Sequence, residues 1–469
     1  MVFSSHIFLY YFLPLSLLFY FGAPRRAKNL VLTLISYLFY GWSNPLFTLL
    51  MFFSTLVDYC CGLVIGTSSV VRVRKTALLV SLASNLGLLG FFKYTGFAME
   101  SYNQLFSLLG FEGFQPVEVL HFLLPLGISF YTFQSMSYTI DVYRGQGKSI
   151  RNFIDFACFV SMFPQLVAGP IIRFQEVADQ LLERQHSLEK FARGVTFFSL
   201  GMAKKVLLAN SCGKIADLAF GAGALHWLDS WFGIAAYSFQ IYFDFSGYSD
   251  MAIGLGLMFG FVFAKNFDSP YHSASITEFW RRWHISLFTC LRDYLYIPLG
   301  GNRKGGNRTA INLAIVMLLG GLWHGASWNF VVWGGLHGSL LGFERVFGKR
   351  PLYHGLPRPI RVLLTYILVL IAWVFFRAET FNGALLYLGS MFGVGPVPTG
   401  SLLLDGLLYT PYHLLAMMLA AVVVWAAPQT WDWSRKLSTV KAIVTVGLFL
   451  LSAAVLSMQS YNPFIYFNF

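Results

Sequence analysis

Ile311–Arg345 reads INLAIVMLLGGLWHGASWNFVVWGGLHGSLLGFER, a mostly apolar stretch with His324 close to its midpoint. It is long enough to enter a bilayer, whose hydrocarbon core is about 30 Å thick. Its flanks decide how it enters. Arg303, Lys304 and Arg308 precede it, and Lys349, Arg350, Arg358 and Arg361 follow it. Basic residues mark cytoplasmic ends, so both ends face the cytoplasm, and such a segment does not cross once. The pattern predicts a re-entrant hairpin with limbs of about 16 residues, each about 24 Å long, and His324 deep in the membrane near the tip. A single strongly tilted helix is the alternative, and it also leaves His324 near mid-depth. Gly320, Gly321 and Gly325 leave room for close approach of backbone or substrate. An ionisable side chain at membrane depth is costly and points to function.

The rest of the chain is of the same kind. Of 469 residues, 56% are hydrophobic, 18% aromatic and only 12% charged, with mean hydropathy +0.61, far from a soluble enzyme of this length. Nearly uncharged runs lie at Leu30–Trp42, Leu46–Ile65, Ala77–Phe92, Val362–Phe376, Leu414–Ala427 and Ala442–Leu456. With the shorter ones they predict an all-α polytopic membrane protein of about 11–13 membrane helices and re-entrant elements. No internal repeat, low-complexity tract or soluble domain is visible, so residues 1–469 read as a single integral membrane domain. The net charge of +12 fits basic cytoplasmic loops in contact with membrane lipid, not nucleic acid. Cys60, Cys61, Cys158, Cys212 and Cys290 have neither metal-ligand nor disulfide spacing and read as small packing residues.

Charge alternation orients the chain. No Lys or Arg precedes the first apolar run, Ile7–Phe21, and no cleavage site follows it, so it reads as a retained helix with its N-terminus outside. Basic loops at Ala23–Lys28, at Arg72, Arg74 and Lys75, and at Arg144, Lys148 and Arg151 are cytoplasmic; Ser43–Pro45 and the acidic Met99–Glu118 are outside. The alternation breaks at Phe153–Ile172. That stretch has Arg144, Lys148 and Arg151 before it, and Arg173, Arg184, Arg193, Lys204 and Lys205 after it. Pro164, Gly169 and Pro170 interrupt it, which predicts a second re-entrant element covered by protein. Arg173–Arg193 mixes polar and apolar residues in the manner of an amphipathic helix at the interface. Arg435, Lys436 and Lys441 lie inside, and the last span leaves Tyr461–Phe469 outside. Both termini face away from the cytoplasm.

Two histidines carry the candidate chemistry, and residues 275–345 contain both. Kept from water, an imidazole stays neutral and proton-accepting. His324 can then act as a general base toward an acceptor hydroxyl attacking an acyl carbonyl; the structural alternative is a hydrogen bond to a neighbouring helix. His284 lies in Ile276–Leu299, where positions 280, 283, 284, 287, 291 and 294 recur at helical spacing and predict one apolar face. The stretch also reads simply as an interfacial helix anchored by Trp and Arg. In the functional reading His284 orients or polarises an acyl donor. Arg281, Arg282 and the Gly300–Gly306 loop, with Asn302, Arg303 and Lys304, would meet that donor's phosphates, as in coenzyme A. Trp283 and Trp323 flank the histidines as supporting residues. Asp244 and Asp250, within or at the edge of the membrane, do not share a helix face and suit either helix packing, with Gly247, Gly254 and Gly256, or a site. His337 reads as structural. No compact third ligand accompanies His284 and His324, so neither a zinc site nor any bound cofactor is expected.

At these residues the chain resembles the membrane-bound O-acyltransferase family. The matching stretches are Met1–Ser5, Leu124–Arg144, Phe163–Phe174, Tyr242–Met258, Ser275–Gly305, Leu318–Ala326 and Pro463–Phe469. The resemblance implies a many-helix bundle around a central funnel or tunnel in a bacterial inner membrane. It also implies acetyl-CoA as donor and an exopolysaccharide of the alginate or cellulose type as acceptor, reached through a periplasmic acetyltransferase partner. By the same resemblance His324, in Leu-Trp-His-Gly, stands at the catalytic histidine, and His284 where other branches carry asparagine or histidine. A transporter or flippase, or a non-catalytic component of a polysaccharide export complex, would share the charge pattern and the broken helices.

Overall fold

The apolar runs become long helices. Asn44 accepts from the Leu46 N–H and Pro45 occupies the first turn, which starts the 23-residue helix Pro45–Thr67. Val71–Leu108 follows with 38 residues. With Arg358–Arg377 and Thr439–Met458, these make four helices among the described residues long and apolar enough to cross a membrane. Phe8–Gly22 and Pro411–Trp425 are apolar but shorter. The structure, a computed structural model, describes residues 2–110, 116–120, 122–223, 225–348, 350–395 and 401–465, and only the backbone of 401–403. Among the described residues it is all-helical, without a strand, as the sequence predicts.

Packing rests on small residues. Trp227–Met258, 32 residues long, crosses Leu188–Ala203 closely enough that a Cβ on Gly201 would lie 2.5 Å from the Gly247 carbonyl, and one on Gly194 2.7 Å from that of Gly254. The expected packing role of Gly247 and Gly254 is thus met, and Gly256 accommodates the Phe263 ring in the same way. Leu188–Ala203 does not end in a loop. It continues through the π-turn Lys204–Ala209 into Asn210–Gly221. Lys204 and Lys205, read from the sequence as cytoplasmic loop charges, therefore sit inside a helix. Lys204 Nζ lies 2.7 Å from Asp250 Oδ2 and Lys205 Nζ 2.7 Å from Asp244 Oδ1. The carboxylates of the neighbouring helix make these positions habitable, a non-local fact that a charge count does not see.

Phe153–Ile172 is broken as its prolines require, into Phe153–Ser161, the single turn Phe163–Leu166 and an extended run. Protein covers it. Ser36 Oγ accepts from Phe163 N, Ser286 Oγ from Ile171 N, and Ser137 Oγ from Phe174 N. The expected interfacial helix over Arg173–Arg193 is only Phe174–Leu182, burying Phe174, Val177 and Leu181; Ser187 caps the next long helix instead.

The described ends of the chain meet: Asn462 Nδ2 donates to the Ser4 carbonyl at 2.7 Å. Residues 461–465, expected on the outer side, pack against the bundle. Lys205 Nζ donates to the Pro463 carbonyl, Ile465 N donates to Asp244 Oδ2 at 2.8 Å, and the Phe464 ring stacks on Tyr248. The expectation for 466–469 falls outside the described residues.

Candidate active site

Gly306–His324 and Trp328–Val346 are separate helices joined by a three-residue break, so the hairpin expectation holds and the tilted single helix does not. The limbs seat backbone on backbone. A Cβ on Gly321 would lie 2.2 Å from the Phe330 carbonyl, and one on Gly334 2.4 Å from that of Met317. Gly325 fits under the Phe330 ring in the same way, whereas Gly320 faces only Leu291 at 3.4 Å. His324 is the last residue of the first limb. That limb, which starts at the last residue of the Gly300–Gly306 loop, is 19 residues long, about 27 Å along the axis. His324 is thus at the end of the limb remote from that loop.

The His324 ring is enclosed by Trp323, Trp333 and Phe376, with centroids at 5.0, 5.3 and 5.2 Å. His284 stands beside it at 6.4 Å. Both are buried, 4% and 0% exposed. The helix expected over Ile276–Leu299 is broken where His284 sits. Ile276–Arg282 ends, His284 adopts φ 45° and ψ 53°, Ile285–Leu291 begins, and a π-turn covers Arg292–Tyr296. The left-handed conformation costs a non-glycine residue on the order of 1–3 kcal/mol and persists only where the surroundings impose it.

Asn266 imposes it. Its backbone carbonyl accepts from Ile285 N at 2.9 Å. Its side-chain oxygen accepts from Ser286 N at 3.2 Å and Ser286 Oγ at 2.8 Å. The same oxygen is 3.2 Å from His284 Nδ1. An amide oxygen that accepts from a backbone N–H cannot donate, so Nδ1 carries the imidazole proton and Nε2 keeps its lone pair. That Nε2 is buried and has no hydrogen-bond partner among the described residues. Asn266 was missed in the sequence, and its position 18 residues upstream gives no local signal.

The other expected residues divide. Trp323 forms part of the wall, its Nε1 donating to the Ser129 carbonyl at 3.3 Å, and Trp283 packs between Phe267 and Trp373. Asp244 and Asp250 are spent on the Lys205 and Lys204 pairs. Arg282 is held by Glu278 at 2.9 Å and by the Asp268 carbonyl at 3.1 Å, while Arg281, Asn302, Arg303 and Lys304 are exposed. The loop residues lie at the far end of the first limb and do not join the histidines. His337 is structural, as expected, accepting from Trp280 Nε1 at 3.2 Å.

Two cavities meet at the hairpin tip. One of about 700 Å³ is lined by Lys93, Asp217, Gln240, Gly325, Arg377 and Ile465 among others. A smaller one of about 70 Å³ reaches Trp323, His324 and Val167. The buried His324 imidazole at the smaller cavity, with the lone-pair nitrogen of His284 behind it, suits proton transfer to or from a hydroxyl.

Comparison with known proteins places this arrangement. A model of the MBOAT, membrane-bound O-acyltransferase family, matches residues 148–377, which hold Asn266, His284 and His324. A probable alginate O-acetylase AlgI of Pseudomonas putida is 45% identical over the whole of both chains, and that of Azotobacter vinelandii 44%. A peptidoglycan O-acetyltransferase of Helicobacter pylori is 38% identical over 85% of this chain and 81% of its own. With His324 at the tip of a helical hairpin, His284 buried beside it, and full-length kinship of this order, the chain belongs to the membrane-bound O-acyltransferase family and is an acyltransferase.

Proposed function

We propose that the protein takes an acetyl group from acetyl-CoA on the cytoplasmic side of a bacterial inner membrane and passes it outward, for O-acetylation of an exopolysaccharide of the alginate or cellulose type. His324 is the general base. It removes the hydroxyl proton as the oxygen attacks the thioester carbonyl; the carbon–sulfur bond then breaks and the thiol leaves with that proton. His284, with its proton held on Nδ1 by Asn266, presents Nε2 to the reacting group. The observation that carries this reading is the 6.4 Å pairing of the two buried imidazoles, of which His324 lines the smaller cavity.

The polar cavity is the acceptor's entrance. That Pro463 and Ile465 line it supports an opening on the side where the charge pattern puts both termini, the periplasmic side. The donor comes from the opposite end. Arg281, three residues before His284, and the Asn302, Arg303 and Lys304 loop beyond it would meet its phosphates, with the thioester arm directed toward the histidines. On that side of His324 a small cavity of about 10 Å³ is lined by Gly320, Leu291 and Trp333. A periplasmic acetyltransferase partner then carries the acetyl group to the polymer.

His324→Ala at matched membrane abundance tests the reading. Exported polymer should lose its O-acetyl groups by about a hundredfold or more, with polymer yield unchanged. Unaltered acetylation removes His324 from the mechanism, and loss of the polymer itself makes the protein an export component.

A further inference from the structure

The end of the His324 helix is held from outside. Lys93 and Tyr94 are consecutive residues of Val71–Leu108. Lys93 Nζ donates to the Trp323 carbonyl at 2.6 Å and to the His324 carbonyl at 3.2 Å, and reaches Ser129 Oγ at 3.5 Å. The Tyr94 hydroxyl donates to the Leu322 carbonyl at 2.7 Å. Three successive carbonyls are thus taken by two neighbouring side chains. They belong to the last turn of Gly306–His324, where a helix leaves its carbonyls without partners and welcomes a cation.

A merely structural cap does not need an ammonium group. Tyr94 satisfies Leu322 with a neutral hydroxyl, and a buried charge without a counter-ion is expensive. Lys93 has no carboxylate among its described partners; all three are uncharged oxygens. It also lines both the 700 Å³ cavity and the small pocket containing His324. It stands 231 residues before His324 in the chain and outside the matched family segment 148–377.

We infer that Lys93 and Tyr94 are positioning residues for acyl transfer. Together they fix where the His324 backbone ends along its axis, and Lys93 does so from the wall of both cavities. The inference rests on the acetyl-transfer reading for its kinetic consequences but not for its geometric ones.

Two measurements on the purified full-length protein separate these. Amide hydrogen exchange over residues 318–330 should quicken about tenfold in Lys93→Met and in Tyr94→Phe, each of which removes hydrogen bonds to that turn, while the other helices exchange as before. Acetyl transfer from radiolabelled acetyl-CoA should fall about a hundredfold in kcat for Lys93→Met, the size expected from misplacing a reacting group, with KM unchanged. Lys93→Arg, which keeps charge and donors, should recover most of that loss. If Lys93→Met does not fold, Tyr94→Phe, which deletes one hydroxyl, carries the exchange test alone. Unchanged exchange at 318–330 overturns the inference, as does a rise in KM at constant kcat, which would make Lys93 a substrate-binding group. No transfer by the unaltered protein sinks the acetyl-transfer reading and leaves the exchange result to decide the clamp.

Discussion

His284 is chosen by its backbone as well as by its ring. At φ 45° a β-branched side chain is a severe misfit, whereas asparagine, aspartate and histidine tolerate the left-handed region best after glycine. His284→Asn should therefore fold like the parent, and His284→Val should lose on the order of 1–3 kcal/mol, read as a lower melting temperature in detergent. That tolerance matches the asparagine-or-histidine choice the family resemblance implies at this position. Asn266 bears the other half of the arrangement. Asn266→Ala strands the buried Ser286 N–H and frees the imidazole, at a cost of about 1–3 kcal/mol; acetylation should fall by about 10- to 100-fold, as when a supporting partner is removed. Asn266→Asp keeps the acceptor oxygen and should retain the fold, so comparing melting and O-acetyl content for the pair isolates what the oxygen does. The sequence showed both histidines because each is an ionisable group amid apolar residues. It hid Asn266, whose contribution is a hydrogen bond over 18 positions.

At the scale of elements, the hairpin was legible because basic residues flank both ends of an apolar stretch, a signal independent of helix propensity. The break at His284 was not. Positions 280 to 294 do keep a helical period, but the 266–268 segment supplies hydrogen bonds that outcompete a continuous helix: Asp268 N donates to the Arg282 carbonyl at 2.9 Å and Ile285 N to that of Asn266. The loop of Asn302, Arg303 and Lys304 was matched to the histidines by chemistry alone, and helix length then set them apart. The limbs themselves offer a sharp contrast. Gly334→Ala drives a Cβ to 2.4 Å from a backbone carbonyl, while Gly335→Ala meets only the Leu318 side chain at 3.7 Å. The first should destabilise by about 1–3 kcal/mol, the range for overpacking, and the second by little; fluorescence-detected thermal unfolding in detergent distinguishes them.

Across the whole molecule the decisive links are those that no local pattern announces. The aspartates of Trp227–Met258 drew attention in the sequence for being charged at membrane depth, yet their partners, Lys204 and Lys205, read as loop charges. Asp244 and Lys205 are 2% and 3% exposed, and breaking such a pair costs about 3–5 kcal/mol because it abandons a buried charge. Lys205→Met should therefore lower the melting temperature and expose 459–465 to protease, since Lys205 also holds the Pro463 carbonyl; Lys205→Met with Asp244→Leu should regain most of the stability. A melting curve and a digest of each variant decide it. The bond from Asn462 to Ser4 has a further bearing, on biogenesis. Ser4 is translated 458 residues before Asn462, so the helix that follows it must wait, inserted but unlatched, until residue 462 has been made. Any prematurely terminated product leaves that latch undone, a state that membrane quality-control proteases can read as unfinished.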